Sequence, residues 1–185
     1  MSRVKSAYWV VILAGVVIFS SCSSMQEDNK KEDLEGWKKL NQPAFSILFP
    51  DSFELVHDGR YGTEFILFAP IQDSTDKFRE NVSLIIQDLK GRDLDLKKYT
   101  TLSEGQVRSQ IKNGKVISSE TLKGADGEFQ KIIYTGQQGD FNLYTEQYYF
   151  IRNEKAYVVT FTAALPEANK YKAVAEKVLA SFKVK

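Results

Sequence analysis

The chain offers one histidine for acid–base chemistry, His57, which is followed directly by Asp58. A histidine oriented by an acid can serve as the base of a Ser-His-Asp triad when a serine lies beside it. The sequence contains no G-x-S-x-G stretch, the pattern that marks the nucleophilic serine of many hydrolases. We therefore expect His57 to be a surface residue, and we predict no catalytic residue.

Three carboxylates, Asp73, Asp76 and Glu80, occur within one short stretch. Carboxylate oxygens are the ligands that a hard cation such as Ca²⁺ prefers, but the spacing does not match the EF-hand pattern. We expect these residues to lie in one loop, 71–81, between two strands. The sequence predicts neither a metal site nor a cofactor.

The single cysteine, Cys22, follows a short apolar segment. Arg3 and Lys5 precede 13 mostly apolar residues, 7–19, and Ser20 and Ser21 come next. This run is shorter than the ~20 residues of a typical membrane span, and its basic flank and small-residue exit are typical of a secretory signal peptide.

The segment Phe19-Ser20-Ser21-Cys22 resembles the lipobox of bacterial lipoproteins. In that family two small residues precede an invariant cysteine, which becomes lipid-modified and forms the new amino terminus. Phe19 stands where leucine is usual, which bears on the efficiency of processing. The resemblance implies a signal peptide over 1–21 and acylation of Cys22; ordinary cleavage and an uncleaved anchor are the alternatives.

Cleavage before Cys22 would remove 21 of the 185 residues and leave 23 basic and 24 acidic side chains. This near neutrality predicts no binding to nucleic acid, and it leaves attachment to a membrane to the acyl chains. Residues 23–36 are mostly polar and charged, so we expect 22–36 to be a lipidated tether and 37–185 to be one folded domain. Gln26-Glu27-Asp28 faintly resembles the acidic export signals of some surface lipoproteins, but a solvated linker is the preferred interpretation.

The strongest pattern in the chain is a hairpin followed by a helix, residues 141–182. Two runs rich in Tyr, Phe, Val and Thr flank Asn153 and Glu154, which predicts two strands joined at this turn. The predicted register pairs Phe150 with Tyr157, Tyr148 with Val159, and Glu146 with Phe161.

This register divides the hairpin into two faces. We expect the face with Tyr148, Phe150, Val159 and Phe161 to be the more deeply buried, under Val174, Val178 and Phe182 of the last helix. The opposite face carries hydrogen-bonding groups that a dry core would have to satisfy. It is our candidate for a groove or partner contact, with Thr145, Gln147, Tyr149 and Thr160 as the proposed binding residues.

Two helices are predicted. The last one follows Leu165, with Pro166 in its first turn, where a proline is well accommodated, and its apolar stripe runs from Tyr171 to Phe182. The midchain helix spans 95–113, entered at Asp93 and Asp95 and stopped by Asn113-Gly114, and Leu96, Tyr99, Leu102, Val107 and Ile111 form its apolar side. A capping box at Thr101 and Glu104 would instead start the regular part of this helix later.

The remaining runs predict strands in adjacent groups. They lie near residues 45–50, 53–56, 63–69, 82–89, 115–122 and 128–135. Consecutive strands favour an antiparallel sheet. The fold class is therefore α+β, with a sheet of about six to eight strands sandwiched between the midchain and C-terminal helices.

This order of elements resembles the PsbP-like and DcrB-like group, which shares the Mog/PsbP α/β/α sandwich. The resemblance spans 45–182 and rests on Phe45-Ser-Ile-Leu-Phe-Pro50 followed by Phe53, the midchain helix, and the long hairpin with its terminal helix. It implies a small non-enzymatic accessory domain that contacts another protein. The metal association of the photosynthetic members is not carried over, because no ligand residues match.

Two functions remain open. The preferred one is a lipid-anchored accessory or interaction module of the bacterial cell envelope, held in the outer membrane and facing either side, with an unidentified envelope protein as partner. The alternative is a small-molecule carrier with an aromatic-lined pocket, since the chain has nine Tyr and twelve Phe. An enzyme ranks third. The oligomeric state is not predicted.

Overall fold

A computed structural model describes residues 35–74, 76–125 and 127–185 of the protein. Cys22, the predicted signal peptide and most of the predicted tether lie outside the described residues. The described part of the chain has two α-helices, α1 (Leu96–Gln110) and α2 (Ala168–Ala180), and a short 3-10 helix at Arg60–Gly62. Its strands are β1 (Trp37–Asn41), β2 (Phe45–Pro50), β3 (Glu54–Val56), β4 (Phe65–Phe68), β5 (Asn81–Asp88), β6 (Lys112–Gly124), β7 (Gly127–Gln138), β8 (Phe141–Arg152), β9 (Lys155–Ala164) and β10 (Lys183–Val184).

Seven strands form one antiparallel sheet in the order β3-β4-β5-β9-β8-β7-β6. At its centre is the predicted hairpin, and its register is confirmed: Phe150 pairs with Tyr157, Tyr148 with Val159, and Glu146 with Phe161. Asn153 and Glu154 both have positive φ, at 51° and 57°, as a two-residue type I′ turn requires. The turn therefore decides which side chains of β8 and β9 share a face.

A second, smaller sheet joins the two ends of the described chain. Its order is β1-β2-β10, and both pairings are antiparallel. The strand predicted at 45–50 is present, but it lies in this sheet, and its partners β1 and β10 were not predicted. The Phe45 ring stacks against Phe182 with centroids 5.9 Å apart, which ties the small sheet to the end of α2.

The face of the main sheet that carries Tyr148, Val159 and Phe161 holds the principal core. Helix α2 and strand β2 cover it, and Val178 and Phe182 are buried there as predicted, with Val174 packed at the margin. We predicted that Pro166 lies in the first turn of this helix, but Pro166 precedes the helix. The Glu167 N–H donates to the Ala164 carbonyl at 2.9 Å and closes a turn over Pro166, so α2 begins at Ala168.

Helix α1 covers the opposite face. Asp95 caps it, because its Oδ1 accepts from the Lys98 N–H at 2.7 Å. The predicted end at Asn113 was three residues too late: Ile111 is extended, and Asn113 lies in a bulged part of β6 with φ 56°. The alternative start near Thr101 is wrong, since Thr101 Oγ1 donates to the Lys97 carbonyl inside the helix.

One member of the predicted apolar side of α1 faces solvent. Tyr99 and Val107 are buried, but Leu102 is 55% exposed. Tyr99, Ser103 and Val107 recur at four-residue spacing along one side of the helix, whereas position 102 lies on a different side. The overall prediction is nevertheless confirmed: the domain is α+β, with a seven-stranded antiparallel sheet and a helix on each face.

Candidate functional site

The proposed polar face of the hairpin lies beneath α1. Tyr99 and Val107 of the helix pack towards this face, where Tyr149, Ile132 and Val158 are buried. Tyr149 is only 2% exposed, but its neighbours Gln147 and Thr160 are half-buried. The α1 face also has the smaller apolar cluster, and a cavity opens beside it, so the α2 face is the more deeply buried of the two, as predicted.

We call this cavity, of about 260 Å³ between α1 and the sheet, the α1 groove. Its walls come from one helix and four neighbouring strands, β5, β9, β8 and β7. The lining residues are Tyr99, Ser103, Gln106, Val107, Gln110 and Ile111 from α1 and its end, and Ile85, Gln87, Tyr134, Gln147, Tyr149, Val158 and Thr160 from the sheet. All of these lining residues are uncharged.

A chain of hydrogen bonds crosses the floor of the α1 groove. The Tyr149 hydroxyl donates to Gln147 Oε1 at 2.6 Å, and Gln147 Nε2 donates to Thr160 Oγ1 at 3.0 Å. These three side chains point to the same face because β8 and β9 pair in the predicted register. The structure therefore brings Gln147, Tyr149 and Thr160 into one connected group.

The helix side of the groove holds a second phenol. The Tyr99 hydroxyl donates to Gln87 Oε1 at 2.9 Å, and its ring meets the Tyr149 ring edge-on with centroids 5.3 Å apart. An edge-to-face pair is a favourable aromatic geometry. This contact fixes the position of α1 over the floor of the groove.

Burial sets the protonation state of the phenols in the groove. It raises the pKa of Tyr149, Tyr99 and Tyr134 above the ordinary value of a tyrosine, because burial disfavours the phenolate. All three therefore remain hydroxyl groups at neutral pH. The α1 groove can donate and accept hydrogen bonds, but it offers poor groups for proton transfer near pH 7.

Thr145, the fourth predicted residue, lines an adjoining cavity of about 380 Å³. The two cavities share Gln110, Ile111 and Tyr134 along their common border. All four predicted residues thus lie on one side of the sheet, three in the α1 groove and one next to it. Whether they bind a partner stays a prediction.

The other residues considered for chemistry are not brought together. His57 is exposed, and its neighbour Asp58 is paired instead with the Arg60 guanidinium at 2.6 Å. Asp73, Asp76 and Glu80 border one cavity, but no group of three His, Cys, Asp or Glu side chains in the described part of the chain is placed to hold a metal ion. None of the helices in residues 35–185 that the structure describes is long and apolar enough to cross a membrane.

The helix side of the groove was not predicted. Ser103, Gln106 and Gln110 bring one hydroxyl and two amides to its rim. Their spacing of three and four residues places them on one side of a helix, next to the buried Tyr99 and Val107. The sequence feature that could have predicted this side of the groove was a set of three polar residues at helical spacing beside an apolar stripe.

Comparison with known proteins relates this chain to others through its fold. No model of a known protein family matches the sequence, and no curated protein matches it. Solved structures do match. The cyanobacterial PsbP protein (CyanoP) from Synechocystis sp. PCC 6803 has a TM-score of 0.59 at 17% identity, over 81% of this chain and 93% of that one.

Two further structures match at similar coverage. LpqN, described as involved in cell envelope biogenesis of Mycobacterium tuberculosis, has a TM-score of 0.58 at 11% identity, over 80% of this chain and 90% of that one. The Saccharomyces cerevisiae Ran-binding protein Mog1p has a TM-score of 0.56 at 9% identity, over 80% of this chain and 95% of that one. Identities this low establish architecture alone. The chain therefore has the PsbP/Mog1 fold.

Proposed function

We propose that the protein is a lipid-anchored, non-enzymatic accessory protein of the bacterial cell envelope, which binds a partner protein through the α1 groove. The acyl chains on Cys22 would hold it in the outer membrane. The tether, 23–36, would reach at most ~50 Å when extended and about 20 Å as a flexible coil, which is enough to keep the domain clear of the headgroups. The groove would then meet a partner away from the membrane surface.

The observation that carries this proposal is the chemistry of the α1 groove. Its polar groups are amides and hydroxyls, and its lining residues carry no charge. Catalysis of proton transfer needs a group that titrates near the working pH, and the raised pKa of Tyr149 and Tyr99 moves these phenols away from it. Neutral donors and acceptors beside aromatic rings are instead common at protein interfaces.

Two further observations support the proposal. The lipobox-like Phe19-Ser20-Ser21-Cys22 segment supports the anchor. The names of two proteins with the same fold, one Ran-binding and one involved in cell envelope biogenesis, support an accessory role and an envelope location.

A second candidate function is that of a small-molecule carrier. The α1 groove and the adjoining cavity have volumes of about 260 and 380 Å³ and share a border, so together they have the size of a ligand site. The uncharged lining of the α1 groove favours a neutral, polar molecule with a flat face that can lie against Tyr99 or Tyr134. Both cavities are open rather than enclosed by apolar side chains, which favours a partner surface over a carrier.

Photo-crosslinking in the source bacterium tests the proposal. A photoreactive phenylalanine derivative would replace Gln106, an exposed residue at the rim of the groove, in the full-length chain. The matched control would carry it at Lys172, which is exposed on α2. We expect one discrete protein adduct from position 106, weakened by Gln110→Ala, and none of that size from position 172.

Two results would count against the proposed function. The same adducts from both positions would mean that the α1 groove has no special role. A small molecule found by native mass spectrometry, present in the wild-type chain and lost in Gln110→Ala, would favour the carrier instead.

A further inference from the structure

A third cavity, of about 390 Å³, lies at the N-terminal end of α2. We call it the loop cavity, because one wall is the loop between β4 and β5. The side chains that matter here are Asp76, Phe78 and Glu80 from that loop, Phe141 from the start of β8, and Glu167 and Tyr171 at the start of α2. It shares no lining residue with the α1 groove.

The Tyr171 hydroxyl is a polar group in the loop cavity that the protein itself leaves unused. Tyr171 is 6% exposed, and its hydroxyl has no hydrogen-bond partner among the described residues. The Gln72 amide lies near this hydroxyl and lowers its pKa against the larger effect of burial. It is nevertheless not placed to form a hydrogen bond with the hydroxyl. That amide accepts from Lys170 Nζ at 2.9 Å and donates to the Pro70 carbonyl at 3.2 Å.

An unpartnered buried hydroxyl is unfavourable, because it has lost its hydrogen bonds to water. Folded proteins rarely keep such a group without a ligand, an ion or an ordered water bound to it. Tyr171 is therefore an independent indication that the loop cavity takes up a polar molecule.

The charges around the loop cavity determine which kind of polar molecule it can bind. Four carboxylates border it, those of Asp73, Asp76, Glu80 and Glu167, against two ammonium groups. Of the two lysines, Lys170 is directed to Gln72 and lies 3.9 Å from Glu167. The cavity therefore has an excess of negative charge, and this excess disfavours an anionic ligand.

Glu80 is the carboxylate that a bound cation would stabilise most. It is 3% exposed, and the backbone amides of Glu80 and Ala164 are the hydrogen-bond donors that lower its pKa. Burial outweighs these bonds and raises its pKa above the ordinary value, and the neighbouring charges of Asp76 and Glu167 act in the same direction. A bound positive charge would relieve both the burial and the repulsion.

Aromatic rings complete the lining. The Phe78 and Phe141 rings lie 5.2 Å apart, and the Tyr171 ring already has Lys170 Nζ at 5.5 Å from its centroid. Rings of this kind attract organic cations through their faces and pack against an alkyl chain. A bare metal ion would gain nothing from them, and the carboxylates are not placed to hold one.

We propose that the loop cavity binds the ammonium group of an alkylamine, with Glu80 and Glu167 as its carboxylate partners and the Tyr171 hydroxyl as a further hydrogen-bonding group. The alkyl chain would lie against Phe78 and Phe141. The same chemistry has two sources, a lysine side chain of a partner protein or a free diamine. This site is separate from the proposed function, which concerns the α1 groove.

Calorimetric titration of the full chain in a neutral detergent tests the proposal. Cadaverine represents the free diamine, Nα-acetyl-lysine methylamide represents a lysine side chain, and pentanol and pentanoate are the neutral and anionic controls. We expect saturable binding of at least one amine and none of the controls. Glu80→Gln should weaken it about tenfold and Tyr171→Phe, which keeps the ring, about threefold.

The control variant is Glu120→Gln, which removes an exposed carboxylate on β6. Binding of the lysine analogue alone would assign the site to a partner side chain, and binding of cadaverine alone would assign it to a free diamine. The proposal is overturned if neither amine binds, if pentanol binds as tightly, or if Glu80→Gln and Tyr171→Phe behave like Glu120→Gln. None of these outcomes depends on the crosslink from position 106.

Discussion

The Lys131 ammonium lies 2.8 Å from the carboxylate of Glu146, a residue with no exposed surface on the α2 face of the main sheet. The Tyr144 hydroxyl donates to the other oxygen of this carboxylate at 3.0 Å. Lys131 is itself only 19% exposed, and it also approaches Glu176 of α2 at 3.6 Å. Burial is the largest single influence on the pKa of Lys131 and would lower it. The hydrogen bond to Glu146 and the nearby Glu146, Tyr148 and Glu176 together outweigh burial and raise that pKa. Lys131 thus joins β7, β8 and α2 through two ion pairs at the border of the principal core.

Removal of the cation should destabilise the domain strongly. Lys131→Met would leave the Glu146 charge buried without its partner, which costs about 3–5 kcal/mol. The double variant Lys131→Met/Glu146→Gln removes both charges and keeps an acceptor for Tyr144, so we expect it to recover most of that loss. Urea unfolding at pH 7.5 measures the free energy of unfolding of both variants. If the double variant loses as much as Lys131→Met and Glu146→Gln lose separately when added together, the two charges do not interact.

Truncation of a large side chain in the principal core should lower the free energy of unfolding by as much as the loss of Lys131. Phe161 is buried at the centre of β9, beneath α2, and its ring lies 6.2 Å from that of Tyr144. We expect Phe161→Ala to lower the free energy of unfolding by about 3–5 kcal/mol. Leu102→Ala, at the exposed position on α1, is the control and should change it by less than about 0.5 kcal/mol. Equal effects would mean that the core is not where the structure places it.

The fold could be predicted where sequence neighbours are also neighbours in space. The β8–β9 register followed from the Asn153-Glu154 turn, because a two-residue turn fixes which residues pair. The small sheet could not be predicted. It brings Trp37–Asn41 and Lys183–Val184 to the two sides of β2, and neither short segment has an alternation that marks a strand.

The same turn allows a stabilising substitution. Glu154 has φ 57°, a left-handed conformation that costs a residue with a side chain about 1 kcal/mol relative to glycine. We therefore expect Glu154→Gly, which creates the preferred Asn-Gly turn, to raise the free energy of unfolding by about 0.5–1 kcal/mol. The control Asn153→Ala should lower it, because alanine tolerates positive φ less well than asparagine. A destabilising Glu154→Gly would contradict the type I′ turn.

Stability should depend on pH through Glu80. Burial raises the pKa of Glu80 in the folded state above the ordinary 4.5, with a further contribution from Asp76 and Glu167. The ionised carboxylate is then unfavourable to the fold above its folded pKa, and this cost disappears as the pH falls towards 4.5. We expect Glu80→Gln to have a higher Tm than the wild type at pH 7.5, with a smaller difference at pH 4.0. Thermal unfolding at the two pH values, with Glu120→Gln as control, tests this; a lower Tm for Glu80→Gln at pH 7.5 would refute it.

The candidate site could be predicted only in part. Alternation along β8 and β9 placed Thr145, Gln147, Tyr149 and Thr160 on one face, but it gave no information on what covers that face. The groove depends on how α1 lies over the sheet, through the contact of Tyr99 with Tyr149. The loop cavity was not predicted, because Tyr171 has the spacing of an ordinary core residue and Glu80 meets it only in the folded domain.

The proposed location and role of the protein both depend on the proposed lipid anchor on Cys22. The most direct test is the intact mass of the full-length chain, produced in a bacterium that processes lipoproteins and recovered from its membrane fraction. The account predicts a chain that begins at Cys22, lacks residues 1–21, and carries the additional mass of acyl chains on that residue. Cys22→Ala should give no acylated species. A membrane-bound chain that retains residues 1–21, or that begins at Cys22 with an unmodified thiol and amine, would contradict the account.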